Sequence, residues 1–123
     1  MRSVALALLM LVAACQTIAG SSTEVHVYEF GVDLESRTYK AGEVTLEVEN
    51  EGEFGHTLVI TAAGGHVVTA ADLLGPGETA EMSVELAPGQ YSFTCRIVAQ
   101  DGEGKLIDHY EQGMRADVVV IAD

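Results

Sequence analysis

Four side chains in the later part of the chain have the types and spacing to share one metal ion. They are His56 in Asn-Glu-Gly-Glu-Phe-Gly-His, Cys95 in Tyr-Ser-Phe-Thr-Cys, and His109 and Met114 in His-Tyr-Glu-Gln-Gly-Met. Two imidazoles, one thiolate and one thioether form the donor set of a trigonal copper site with a weak axial methionine. A redox function carried by copper is therefore the first expectation, and Cys95 is its centre. The chain has 2 cysteines, and the other one, Cys15, sits in a targeting segment. An exported domain normally pairs its cysteines, so a lone thiol there calls for burial or for a metal.

The export argument comes from the N-terminus. Residues 1–14 read as a basic Met-Arg start, an apolar run from Val4 and small residues before Cys15, which is a secretion signal too short to span a bilayer. Leu11-Val12-Ala13-Ala14-Cys15 looks like a bacterial lipobox, in which Cys15 is acylated. The expected organisation is a signal peptide over 1–14, a lipid-anchored tether over 15–23 and one domain over 24–123. The protein would then sit in the cell envelope or periplasm, held to a membrane by lipid alone, and to the outer membrane if the cell is Gram-negative. An ordinary signal peptide cleaved near Ala14 or Ala19 would leave it soluble instead.

Six basic residues face 19 acidic ones, a net charge of −13. That balance excludes nucleic acid, whose phosphates need Lys and Arg. It also disfavours adhesion to anionic lipid. A protein partner with a basic docking patch suits such a field, and so does simple solubility.

The elements that must position the four donors are strands. Val44, Leu46 and Val48 alternate with Glu43, Thr45, Glu47 and Glu49, and Ala80, Met82, Val84 and Leu86 alternate with Glu81, Ser83 and Glu85. Tyr91, Phe93 and Cys95 share one face, which turns the thiol inward. Further strands are expected over 24–30, 57–61 and 116–121, and Thr69 to Leu74 reads as one short helical turn with a capping box. Turn signals lie at Lys40-Ala41-Gly42, Asn50-Glu51-Gly52, Gly75-Pro76-Gly77 and Ala87-Pro88-Gly89. The pattern predicts an all-β, antiparallel Greek-key β-sandwich of seven or eight strands.

The run Asn50-x-Gly52-x-x-x-His56-x-Leu58-Val59-Ile60, then Pro76-Gly77-Glu78, then Pro88-Gly89-x-Tyr91-x-Phe93-x-Cys95, and finally His109-x-x-x-Gly113-Met114, resembles the cupredoxins, the plastocyanin and azurin type of small blue copper protein. The resemblance covers most of residues 24–121. It implies one mononuclear copper ion with His56, Cys95 and His109 in the trigonal plane and Met114 as the long axial contact. Thiolate and thioether favour Cu(I) while imidazoles also satisfy Cu(II), so the centre would change oxidation state with little nuclear movement. The implied function is electron transfer to a redox partner by a membrane-tethered carrier that is not itself an enzyme.

One departure from the family pattern is the thirteen residues between Cys95 and His109, where family members place only a few. Arg96 to Gln100 and Lys105 to His109 read as two arms of a hairpin with Asp101-Gly102-Glu103-Gly104 as its turn. Pairing Gln100 with Lys105 would set Cys95 opposite Tyr110 and Arg96 opposite His109, and so return both ends to one place. Glu111 and Gln112 are alternative axial donors. Thr57 follows His56 and can hydrogen-bond near the thiolate, where such donors tune a metal's potential. His26 reads as a strand-face residue and His66 as a loop residue. Three other functions remain open: a copper carrier or chaperone using the same ligands, a thiol enzyme using Cys95 and His109 with Asp108 adjacent, and a metal-free β-sandwich interaction module.

Overall fold

The structure is a computed structural model that describes residues 18, 19 and 22–122. In chain order the strands are β1 (Ile18–Ala19), β2 (Ser22–Tyr28), β3 (Gly31–Leu34), β4 (Thr38–Lys40), β5 (Gly42–Asn50) and β6 (Val59–Ala62). They continue with β7 (Val67–Ala70), β8 (Thr79–Leu86), β9 (Gly89–Thr94), β10 (Val98–Gln100), β11 (Leu106–Asp108) and β12 (Arg115–Ile121). One sheet has the order β3-β2-β5-β8, the other β1-β4-β12-β9-β6-β7, and β10 with β11 forms a separate hairpin. The period-two alternation explains why the two sheets face each other. Val25 and Val27, Val44, Leu46 and Val48, and Val84 and Leu86 are buried from one side; Leu58, Ile60, Tyr91, Phe93, Val118 and Val120 meet them from the other. Each such aliphatic side chain removed from water is worth about 1.5–3 kcal/mol.

The expected sandwich is present, with three differences in detail. The sheets are mixed: β2 runs parallel to β5, and β4 runs parallel to β12 and to β1. Alternation in a sequence fixes which face is buried, whereas the direction of a neighbour depends on where the chain crosses between sheets, here between β3 and β4. No helix occurs among the described residues. Thr69 and Ala70, expected in a helical turn, pair with Ile60 and Val59, and Leu74 exchanges backbone hydrogen bonds with His56, so ladder bonds outcompete a single capped turn. The first strand of the four-stranded sheet begins at Ser22, with Ser22 and Thr23 paired to Thr45 and Leu46, and it ends at Tyr28, leaving Glu29 and Phe30 in a turn. The expected signal peptide over 1–14 and Cys15 lie outside the described residues.

This topology builds one functional end. Strand β9 lies between β6 and β12 and runs antiparallel to both, so the residues before β6, after β9 and before β12 converge. Those residues include His56, Cys95 and the pair His109 and Met114. The ends of β2 and β5, which lead to Glu29 and Asn50, run parallel to each other and reach the same end from the other sheet.

Candidate metal centre

Local backbone chemistry sets each donor in place. Asn50 is fully buried; its Nδ2 donates to the carbonyls of Phe54 (2.7 Å) and Leu74 (2.9 Å), and its Oδ1 accepts from Gly52 N (2.8 Å). The loop that ends at His56 is thereby closed on itself and stitched to Leu74, whose carbonyl accepts from His56 N at 3.0 Å and whose N–H donates to His56 O at 2.8 Å. Cys95 stands one residue past β9 with its N–H on Met114 O at 3.0 Å, and Met114 N–H reaches His109 O at 3.1 Å. Three donor-bearing residues are thus linked through main chain.

The segment between Cys95 and His109 is a finger, as its two-armed sequence suggests, but with a different register. Gln100 pairs with Leu106, not Lys105, and Val98 with Asp108. The reason is Asp101: its Oδ1 accepts from Glu103 N (2.8 Å) and Lys105 N (2.9 Å), which makes the turn five residues long, with Gly104 at φ +80°. His109 N–H therefore bonds Ile97 O, and Cys95 faces Met114 rather than Tyr110. A tight turn absorbs the offset. Asp108 Oδ1 accepts from Tyr110 N (3.0 Å) and Glu111 N (3.3 Å), and Gly113 adopts φ +121°, where an added Cβ would meet Phe30 O at 3.1 Å. Asp108 Oδ1 thus serves these two amides at the base of the finger.

The structure brings together His56, Cys95 and His109, all buried, with one donor atom from each within 4.8 Å of the others. The two Nδ1 atoms face each other at 3.2 Å, and Cys95 Sγ lies 3.6 Å from His109 Nδ1. Three donors around one first-row metal, at about 2.0 Å for nitrogen and about 2.3 Å for sulfur, would stand about 3.5 Å and about 3.7 Å apart. The observed spacing fits a single shared ion. Met114 is fully buried beside them in the turn, while Glu111 and Gln112 are exposed. Thr57 Oγ1 donates to Cys95 Sγ at 3.8 Å.

Three further residues shape the site, and no motif in the sequence marks two of them. Glu29 Oε1 lies 2.5 Å from His56 Nε2. Burial alone would raise the Glu29 pKa, but the N–H groups of Glu53 and Phe54 and then the His56 ring outweigh it and hold it at about 2. An ionised carboxylate only accepts, so the His56 Nε2–H donates to Glu29 and Nδ1 is the nitrogen turned toward His109. Phe30 packs edge-on against the His109 ring at 5.2 Å. Burial first, and then the electrostatic influence of His56, lower the His109 pKa from its usual value, the direction that suits a metal-donating ring. Asn50 is the third, and its place at a turn signal hinted at a structural role.

Beside His109 opens a cleft of about 500 Å³ lined mainly by Phe30, Phe54, Leu73, Ile97, Ile107 and His109. Phe54, Leu73, Val98 and Leu106 are exposed around this end. A second titratable group is separate: His26, on the outer face of β2, lies among Glu24, Glu49 and Glu51. His66 is an exposed loop residue.

Residues 2–107 match the family model of the cupredoxin-like domain. The chain belongs to the cupredoxin-like family. The match contains His56 and Cys95 and stops before His109 and Met114. Among solved structures, a reduced auracyanin from Roseiflexus castenholzii superposes with a TM-score of 0.68 at 22% identity, covering 84% of this chain and 98% of that one. Auracyanin A, a blue copper protein from Chloroflexus aurantiacus, gives 0.57 at 15% identity over 85% and 99%. Rusticyanin from Thiobacillus ferrooxidans gives 0.58 at 17% identity over 84% and 79%. At these identities the likeness concerns the fold. No curated protein sequence matches the chain.

Proposed function

We propose that this cupredoxin is a one-electron carrier that holds a single copper ion between His56, Cys95 and His109, with Met114 as the weak axial donor. The observation that carries the reading is the buried triad, with two imidazole nitrogens and one thiol sulfur drawn from three loops to within 4.8 Å. Copper bound there would supply the one-electron couple. The chain's own residues do the rest. Cys95 supplies the soft anionic donor, Thr57 stabilises its sulfur with a hydrogen bond, and the main-chain links from Cys95 to Met114 to His109 resist rearrangement. The exposure of Glu111 and Gln112 beside a buried Met114 favours the thioether as axial ligand. That the auracyanin A of Chloroflexus is a blue copper protein is consistent with this reading.

The partner is a redox protein. His109 lines the apolar cleft, so its ring edge is the nearest approach for an incoming apolar surface, while the carboxylate-rich β2-β5-β8 face suits a basic docking patch on the partner. The Leu11 to Cys15 motif supports an exported carrier fixed to a membrane through acylated Cys15. The test is spectroscopic: add Cu(II) to the protein and to Cys95→Ser and record visible and electron paramagnetic resonance spectra. An intense thiolate-to-copper charge-transfer band in the wild type, absent in the variant, is the expected result. Tight Cu(I) binding without colour would favour a copper carrier, and failure to bind copper would overturn the reading.

A further inference from the structure

We propose that Glu29 is a positioning residue of the metal centre that fixes the metal-binding tautomer of His56 and biases the centre toward its oxidised state; this rests on the copper reading above. Three independent contacts build the arrangement. Glu29 Oε1 accepts the His56 Nε2 proton at 2.5 Å. The Glu53 N–H reaches both carboxylate oxygens at 3.0 and 2.9 Å, and the Phe54 N–H reaches Oε1 at 3.0 Å. A Cβ on Gly52 would collide with the Glu29 carboxylate, so the loop wraps the carboxylate in this position because residue 52 has no side chain. Residues 52–56 form a cradle that grips an anion at one end and presents a metal ligand at the other.

The consequence follows from charge and bonding. A carboxylate on the far nitrogen of a ligating imidazole orients the ring and makes its metal-facing nitrogen a better donor. A fixed negative charge behind the ligand stabilises Cu(II) more than Cu(I), because the oxidised ion carries the greater positive charge. Glu29 therefore lowers the reduction potential of the centre. A glutamine there would remove the charge and turn an NH₂ group toward at least one backbone N–H, leaving donor against donor.

The experiment compares wild type, Glu29→Gln and Gly52→Ala, each copper-loaded, by redox titration followed at the thiolate-to-copper band. Nitrogen NMR of the His56 ring in the metal-free proteins accompanies it. Glu29→Gln is expected to raise the Cu(I)/Cu(II) ratio at a fixed solution potential at least tenfold, about 59 mV for one electron. Gly52→Ala keeps the charge but displaces the carboxylate, and is expected to shift the ratio in the same direction by less. The wild-type His56 ring should be protonated at Nε2, and Glu29→Gln should mix the two tautomers. An unchanged potential in Glu29→Gln, in a protein whose wild type shows the band, overturns the proposal. If the wild type shows no band, the copper reading has failed, and the tautomer measurement decides positioning by itself: an unaltered His56 tautomer overturns it. If Glu29→Gln does not fold, Gly52→Ala carries the same readouts, and an unshifted potential there overturns the proposal.

Discussion

Replacing Asn50 should cost more stability than any change of comparable size on the surface, and should loosen the metal site with it. The side chain is fully buried and makes three hydrogen bonds, to Phe54 O, Leu74 O and Gly52 N. Asn50→Ala leaves all three partners without it. The bonds to Phe54 and Gly52 are only partly buried, so water can take them over at a net loss of about 1 kcal/mol or less each. The Leu74 carbonyl is in the interior but keeps the His56 N–H at 3.0 Å, so its lost bond is worth up to about 1.5 kcal/mol. The sum reaches about 3 kcal/mol, a large share of the roughly 5–15 kcal/mol that holds a domain together. For a domain of this size that corresponds to a fall in Tm of about 12–20 °C. Asn50→Asp sharpens the test: a carboxylate can still accept from Gly52 N–H but turns lone pairs toward two carbonyls, so it should be at least as unstable as the alanine variant. Urea and thermal unfolding in the presence of chelator measure both, and competition with a Cu(I) chelator measures the loosened His56. An Asn50→Asp protein as stable as wild type, or an Asn50→Ala loss under about 1 kcal/mol, would refute the idea that this amide holds the His56 loop closed.

Replacing Met114 by Leu keeps the apolar volume and removes the thioether, so the copper-loaded protein should show a higher reduction potential, by a shift of order tenfold in the Cu(I)/Cu(II) ratio, about 59 mV for one electron, in a redox titration. An unchanged potential would move the axial role away from Met114. His26 predicts a pH dependence remote from the metal. Burial works against its charge, but Glu24 first, and then Glu51 and Glu49, outweigh that and raise its pKa above the usual 6.5; Asp33 faces it across the β2-β3 pair. A raised folded-state pKa gives stability that is present below the unfolded value and lost as pH rises through the folded one. His26→Gln should therefore cost more at pH 5.5 than at pH 8.5, read by urea unfolding at each pH, and an equal cost at both would contradict it.

The parts legible in the sequence are those encoded by local repetition. The alternation of Val44, Leu46 and Val48 with glutamates gives a half-buried strand whatever its neighbours, and the same rule turns Phe93 and Cys95 inward. Donor types are legible because few side chains bind soft metals at all. Glu29 is not legible, since its role depends on a parallel pairing of β2 with β5 that brings residue 29 beside the loop after residue 50. No periodicity encodes that adjacency. Hairpin register failed by one residue for a related reason: the Asp101 side chain bonds two amides and lengthens the turn, a tertiary-like contact hidden inside a stretch that otherwise reads as an ordinary Asp-Gly turn. Thr69 to Leu74 failed because a capping box describes what a segment can do alone, whereas here the edge of β6 and the backbone of His56 offered more bonds.

The thirteen residues between Cys95 and His109 raise the question of how a site can stay rigid when two of its donors are separated by a long excursion. Loop closure depends only weakly on length, about 0.6 kcal/mol per doubling, so the entropy of the longer connection is a small burden. The finger also closes itself, with the β10-β11 ladder and the Asp101 turn ordering it without help from the metal. What sets the donor geometry is the base of the finger rather than its length. There the Ile97 to His109 bond, the Asp108 turn and the Cys95 to Met114 bond convert the register of the hairpin into that of the β9-β12 pair, with Thr94 opposite Arg115. The conversion is tied by these main-chain bonds together with the Asp108 carboxylate, and Gly113 supplies a backbone angle that a side chain would oppose. The bonds at the base, rather than the finger beyond Ile97 and Asp108, therefore hold Cys95 relative to His109, and Val98 and Leu106 in the finger stay exposed.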